Sequence, residues 1–131
     1  MPLGAVRILV VDDESALLES MRSYLSRLGH KVTAFRDAAA AWESLASESP
    51  NPQVLIVDLT LPGMSGEEFI RKVLERDPSI AVLATSGYPL SVESLGLPPG
   101  ARAAMLQKPF TPRMLNEALE RLLAGESAAP S

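Results

Sequence analysis

Four polar signals each close an apolar run, and together they describe one kind of chemistry. Asp58 ends the run Val54-Leu55-Ile56-Val57 and is followed at once by Leu-Thr-Leu-Pro-Gly-Met-Ser-Gly. Asp12-Asp13 follow Arg7-Ile8-Leu9-Val10-Val11, Ser86-Gly87 follow Ile80-Ala81-Val82-Leu83-Ala84-Thr85, and Lys108-Pro109 follow Ala103-Ala104-Met105-Leu106-Gln107. If the runs are parallel strands of one sheet, these points meet at its carboxyl edge, where open α/β sheets place their sites. Acids with one hydroxyl and one lysine suit a divalent cation and a phosphoryl group. Asp58 is expected to face solvent there and to act as the nucleophile, because a carboxylate can form an acyl phosphate. Clustered aspartates repel an anionic phosphodonor. A divalent cation removes that repulsion, and Lys108 supplies a second positive charge.

Each residue also has a plain structural reading. Asp12, Asp13 and Glu14 could be a helix cap with acids near a helix N-terminus, and Glu14 is read that way. Asp58 before Pro62-Gly63 could be turn chemistry, as could Ser86-Gly87, and an isolated Lys108 would be solvated. The coincidence of all four at strand ends favours the functional reading. His30 has no acidic partner nearby in sequence and reads as a surface histidine. Trp42 reads as core packing, and the methionines as core filler.

The elements that must position these residues alternate apolar runs with amphipathic stretches, which argues for βαβ units and a parallel sheet. Strands are expected at about 6–11, 31–35, 54–57, 80–85 and 102–106. The first helix runs from Glu14 to Leu28, with Leu17, Leu18, Met21, Leu25 and Leu28 as its apolar stripe and Gly29 just beyond its end. Asp37 caps an alanine-rich second helix through Ala46, with Trp42 and Leu45 on its apolar side. Ser65 and Glu68 have capping-box spacing before a helix that Asp77-Pro78 stops. Pro89, Pro98 and Pro99 leave room for only a short helix between Tyr88 and Gly100. Thr111 caps a last helix with Pro112 at its first position and Met114, Leu115, Ala118, Leu119, Leu122 and Leu123 on its buried face. The runs at strands one, three and four are almost wholly apolar, as strands covered on both faces should be.

Composition narrows the function. The 131 residues fit one domain with a real core, a folded unit over 1–125 with a flexible tail at 126–131. Net charge is −4 without a basic run, which argues against direct nucleic-acid binding. No apolar stretch is long enough to span a membrane, and the N-terminus does not read as a secretory signal. The chain has no cysteine, which excludes disulfides and thiolate metal sites and fits a cytoplasmic location.

Val-Val-Asp-Asp-Glu at 10–14, Val-Asp-Leu-Thr-Leu-Pro-Gly-Met-Ser-Gly at 57–66, Thr-Ser-Gly-Tyr at 85–88 and Gln-Lys-Pro-Phe at 107–110 resemble the motifs of a two-component response-regulator receiver domain. The resemblance covers about Val6 to Leu123, and the Leu-Gly-His-Lys-Val and Ser-Gly-Tyr steps are most similar to receivers attached to hybrid sensor kinases. It implies a flavodoxin-like, doubly wound (βα)5 fold with a five-stranded parallel sheet in the order 2-1-3-4-5. It implies that Asp58 takes a phosphoryl group from a phosphohistidine on a sensor histidine kinase or a histidine phosphotransfer protein. Asp13, Asp58 and the backbone carbonyl of Thr60 would ligate Mg²⁺, with Asp12 acting through a bound water. Ser86 would donate a hydrogen bond to the phosphoryl group and Lys108 would pair with its charge. A cis Lys108–Pro109 bond fits the family. The domain would be a switch rather than an enzyme, catalysing only its own phosphorylation and dephosphorylation.

The sequence departs from the family pattern in two places. Met105 stands where receivers often carry the aromatic residue that turns inward on phosphorylation, so the switch passes to Ser86, Met105 and Tyr88. The proline-rich stretch before Gly100 weakens the usual signalling face, so at most a weak homodimer is expected. The residues after Ala124 are too few for a DNA-binding module, so the receiver is either a stand-alone adaptor or part of a longer hybrid kinase. Two alternatives stand beside the switch. A Mg²⁺-dependent aspartyl-phosphate phosphatase wants a second acid two residues after the nucleophile, where this chain has Thr60. A pseudo-receiver scaffold that is never phosphorylated usually lacks one of the key residues, and all are present here.

Overall fold

Alternation along the central strands decides the architecture. In the computed structural model, which describes residues 4–47 and 51–125, five strands, β1 (Arg7–Val11), β2 (Lys31–Phe35), β3 (Val54–Asp58), β4 (Ala81–Ser86) and β5 (Ala103–Gln107), form one parallel sheet. Their order is β2-β1-β3-β4-β5, as the resemblance implies. Leu9, Val11, Leu55, Val57, Val82 and Ala84 point to one face; Ile8, Val10, Val54, Ile56, Ala81 and Leu83 point to the other. Every residue of β3 and β4 is buried, because helices cover both sides.

Four α-helices form these layers: α1 (Ser15–Arg27), α2 (Ala38–Ser47), α3 (Gly66–Arg76) and α4 (Pro112–Leu123). Helices α2 and α3 cover the first face through Leu45, Phe69, Ile70 and Val73, while α1 and α4 cover the second through Leu18, Met21, Leu25, Leu115 and Leu119. Local chemistry sets their ends. Asp37 Oδ1 accepts the Ala40 N–H at 2.8 Å, Ser65 Oγ accepts that of Glu68 at 3.1 Å, and Thr111 Oγ1 accepts that of Met114 at 3.1 Å. Gly29, at φ 101°, closes α1 while the N–H groups of Gly29 and His30 bond to the carbonyls of Ser26 and Leu25.

Several expectations need correction. The fourth crossover carries a single 3₁₀ turn, Val92–Leu95, as the short helix expected there, so the (βα)5 pattern is completed with four α-helices rather than five. Pro89, Pro98 and Pro99 bracket it, and Gly96 ends it in the left-handed region at φ 63°. Leu28 and Met114 are exposed; they lie at the C-cap of α1 and in the first turn of α4. Of the methionines described, Met21 is buried and Met64 and Met105 pack against the core, while Met114 is exposed. Trp42 is half-buried: it touches the core but also lies under two cations, with Lys72 Nζ 4.8 Å and the Arg76 guanidinium 5.9 Å from its ring centre. His30 is buried rather than on the surface. Its Nδ1 accepts the Val6 N–H at 3.2 Å, joining the end of α1 to the start of β1, and burial holds its pKa below the ordinary histidine value. The predicted tail at 126–131 lies outside the described residues.

One glycine ties the fold to the carboxyl edge. A Cβ at Gly66 would stand 2.3 Å from the Asp58 carbonyl oxygen and 2.9 Å from the Leu59 Cα, so α3 begins directly against the end of β3. Both obstacles are backbone and cannot move aside as a side chain would. Gly66→Ala is expected to lower unfolding free energy by about 1–3 kcal/mol in urea titrations. Gly87→Ala, whose Cβ would meet nothing within 4 Å, is expected to change it by about 0.5 kcal/mol or less. Equal losses at the two positions would contradict this account of α3.

Candidate functional site

The parallel register brings the strand ends together. Asp58 lies opposite Thr85, Ser86 lies opposite Gln107, and Asp12 immediately follows β1, which pairs with β3. Asp58 continues the alternation of Val54 and Ile56, so it stands on the face covered by α1 and α4. Lys108 follows β5 and reaches back across the sheet on that same side. Its Nζ is 3.0 Å from Asp12 Oδ2, 3.0 Å from Glu14 Oε1 and 3.1 Å from Asp58 Oδ2. The Lys108–Pro109 peptide is cis, as the family pattern suggests.

Each carboxylate is held differently. Asp58 Oδ1 accepts both the Thr60 N–H at 3.0 Å and the Thr60 hydroxyl at 2.9 Å, leaving Oδ2 to Lys108. These contacts leave Asp58 only 2% exposed, which corrects the expectation that it faces solvent. The carboxylate sits at the edge, but Lys108 and the Thr60 turn close over it. Asp12 is fully buried; its Oδ1 accepts the Glu14 N–H at 2.9 Å. Its Oδ2 pairs with the Lys108 ammonium and, among the described residues, with no other group. Burial raises the Asp12 pKa; the Glu14 N–H bond and Lys108 oppose that rise, and the charge on Asp58 adds to it. Burial also works against the charge on Lys108, but Glu14, Asp12 and Asp58 outweigh it and hold its pKa above the usual lysine value. The two shifts differ in sense because Lys108 shares one charge among three carboxylates, so Asp12 receives too little of it to offset its own burial.

Not every predicted residue converges in the same way. Asp13 is exposed, but one of its oxygens lies with those of Asp12 and Asp58, all within 4.8 Å of one another. The Ser86 hydroxyl does not bond to Asp58; it is fully buried and accepts the Tyr88 N–H at 3.0 Å. Tyr88 is 67% exposed and lines an open groove of about 460 Å³ with Pro89, Leu90, Ser91, Met105 and Gln107. Met105 and Tyr88 therefore face a common space, next to the Ser86 turn. Glu14 is the residue that sequence reading passed over. It stands at the N-cap of α1 but makes no side-chain capping bond, and its carboxylate goes instead to Lys108. The signal available was its type: glutamate is not among the favoured N-cap residues.

Comparison with known proteins agrees with this arrangement. The response regulator receiver domain family model matches residues 8–120. The chain is a response regulator receiver domain. It is 35% identical over 132 aligned residues to a "Chemotaxis protein CheY homolog" of Campylobacter jejuni, covering 95% of this chain and 99% of the relative. It is 37% identical to "Response regulator MprA" of Mycobacterium ulcerans, covering 92% of this chain and 48% of that protein. A CheY-like receiver structure from Methanospirillum hungatei superposes with a TM-score of 0.80 at 30% identity, covering 93% of this chain and 96% of the other. Receiver domains of response regulators interact with histidine kinases, and they are signalling proteins rather than enzymes in the ordinary sense. Among the described residues, no helix is long and apolar enough to cross a membrane.

The receiver's acidic group fits a hard divalent cation. Its donors are all carboxylate oxygens, and the buried Asp12 Oδ2 has only the Lys108 ammonium as a partner among the described residues. Lys108 already occupies the space between two of these carboxylates, so ammonium and cation compete for the same oxygens. Replacing Lys108 by Met is therefore expected to tighten Mg²⁺ binding about tenfold in calorimetric titrations. Unchanged or weaker Mg²⁺ binding by Lys108→Met would show that the ammonium is no competitor.

Proposed function

We propose that this receiver accepts a phosphoryl group on Asp58 from a phosphohistidine of a kinase or phosphotransfer partner, and that the modification changes its contacts with other proteins. The observation that carries the reading is the convergence of Asp12, Asp58 and Lys108 at 3.0–3.1 Å with Asp13 beside them. When bound, Mg²⁺ would be held by Asp13, Asp58 and the Thr60 carbonyl, with Asp12 acting through a water, and would neutralise charge between the carboxylate and the incoming phosphoryl oxygens.

The chain's own residues then have distinct tasks. Asp58 is the nucleophile; Thr60 fixes Oδ1 with two hydrogen bonds, which leaves Oδ2 as the oxygen to be released by Lys108. Lys108 shifts from carboxylates to the phosphoryl charge. Ser86 Oγ accepts the Tyr88 N–H and would donate its own O–H to the phosphoryl group, so the Ser86 turn is the element that feels the modification. Tyr88 follows that turn directly, and Met105 lines the same groove, so a change at Ser86 alters the surface that a partner meets.

Asp58 burial favours a second reading, a scaffold that never takes phosphate. The two separate cleanly. With acetyl phosphate or fluoroberyllate and Mg²⁺, the protein is expected to gain one phosphoryl mass increment or to bind one fluoroberyllate, and Asp58→Asn to do neither. Absence of both in the unaltered protein, with the cognate kinase also present, would establish the scaffold.

A further inference from the structure

Lys108 has three carboxylate partners, and only two of them belong to the group able to hold a cation. Asp12 and Asp58 are in that group; Glu14 is not. Glu14 differs from them in every other respect too. Its side chain is 64% exposed, while those of Asp12 and Asp58 are 0% and 2% exposed. It occupies an N-cap position without a side-chain capping bond, and its carboxylate bonds instead to Lys108, 94 residues away in sequence.

We propose that Glu14 is a positioning residue that keeps hold of Lys108 when a divalent cation takes Asp12 and Asp58. The inference rests on the cation-binding reading given above. An ammonium and a divalent cation cannot share the same two carboxylates at 3 Å without strong repulsion. Lys108, with a side chain only 15% exposed, must move as the cation binds. Moving with no partner would leave a largely covered charge unpaired. Glu14 already touches the same ammonium from the solvent side, so Lys108 keeps one ion pair while it gives up two. The same contact makes Glu14 a rival of the phosphoryl group for Lys108.

The plain alternative is that Glu14 acts only as one more negative charge near the cation. That effect does not need Lys108, and salt screens it. Calorimetric Mg²⁺ titrations in about 0.15 M salt distinguish the two. Glu14→Gln is expected to weaken Mg²⁺ binding about threefold in the Lys108 protein. In the Lys108→Met background the same change is expected to weaken it by about 1.5-fold or less. Equal weakening in both backgrounds overturns the proposal, as does no weakening in the Lys108 protein. Absence of Mg²⁺ binding by the unaltered protein would instead overturn the cation site itself. Should Lys108→Met fail to fold, the Lys108 ammonium resonance at saturating Mg²⁺ decides: Glu14→Gln is expected to shift it, and an unshifted resonance overturns the proposal.

Discussion

The carboxyl edge of this receiver is organised around one ammonium group. Lys108 Nζ lies within 3.1 Å of three carboxylates from two other parts of the chain, and two of those carboxylates are almost wholly buried. Buried acids of like charge repel each other and are poorly solvated, so the cluster needs a cation in its midst. In the metal-free protein Lys108 is that cation. Under the function proposed above that role is temporary, because a divalent ion would take the same oxygens and Lys108 would turn to the phosphoryl group. The lysine would then be both the stabiliser of the resting site and a participant in the loaded one.

The sheet makes that arrangement possible. Parallel pairing sets Asp58 beside Thr85 and Ser86 beside Gln107, so residues distant in sequence reach one edge. Strand alternation then sorts them. Asp58 and Lys108 fall on the α1/α4 side, while the Ser86 hydroxyl turns to the backbone of Tyr88. The site and the Tyr88–Met105 groove are therefore separated by a single strand end. Gly66 completes the frame by letting α3 start against the Asp58 carbonyl, which locks the Asp58 backbone between a strand and a helix.

Much of this was legible in the sequence, for identifiable reasons. Uninterrupted apolar runs marked β1, β3 and β4 because both their faces are covered. Asp37, Ser65 and Thr111 marked helix starts because their side-chain oxygens bond to N–H groups three residues on. Conditions set by distant parts of the chain were not legible. His30 has no local signal for burial; it is buried because the start of β1 offers it an N–H. Asp58 reads as an edge residue and is one, but its closure depends on Lys108, 50 residues away. Glu14 read as a charge near a helix end because its partner lies beyond any local pattern. Leu28 and Met114 fit their helical stripes yet lie at helix ends, where they are exposed.

The central claim is that Lys108 and a divalent cation are alternative occupants of the same carboxylates. A crystal structure of the protein at saturating Mg²⁺ tests it most directly. The account predicts an ion among Asp12, Asp13 and Asp58, with Lys108 Nζ withdrawn from hydrogen-bonding reach of both Asp12 Oδ2 and Asp58 Oδ2. Lys108 found still on both oxygens, with no ion between the aspartates, would contradict it.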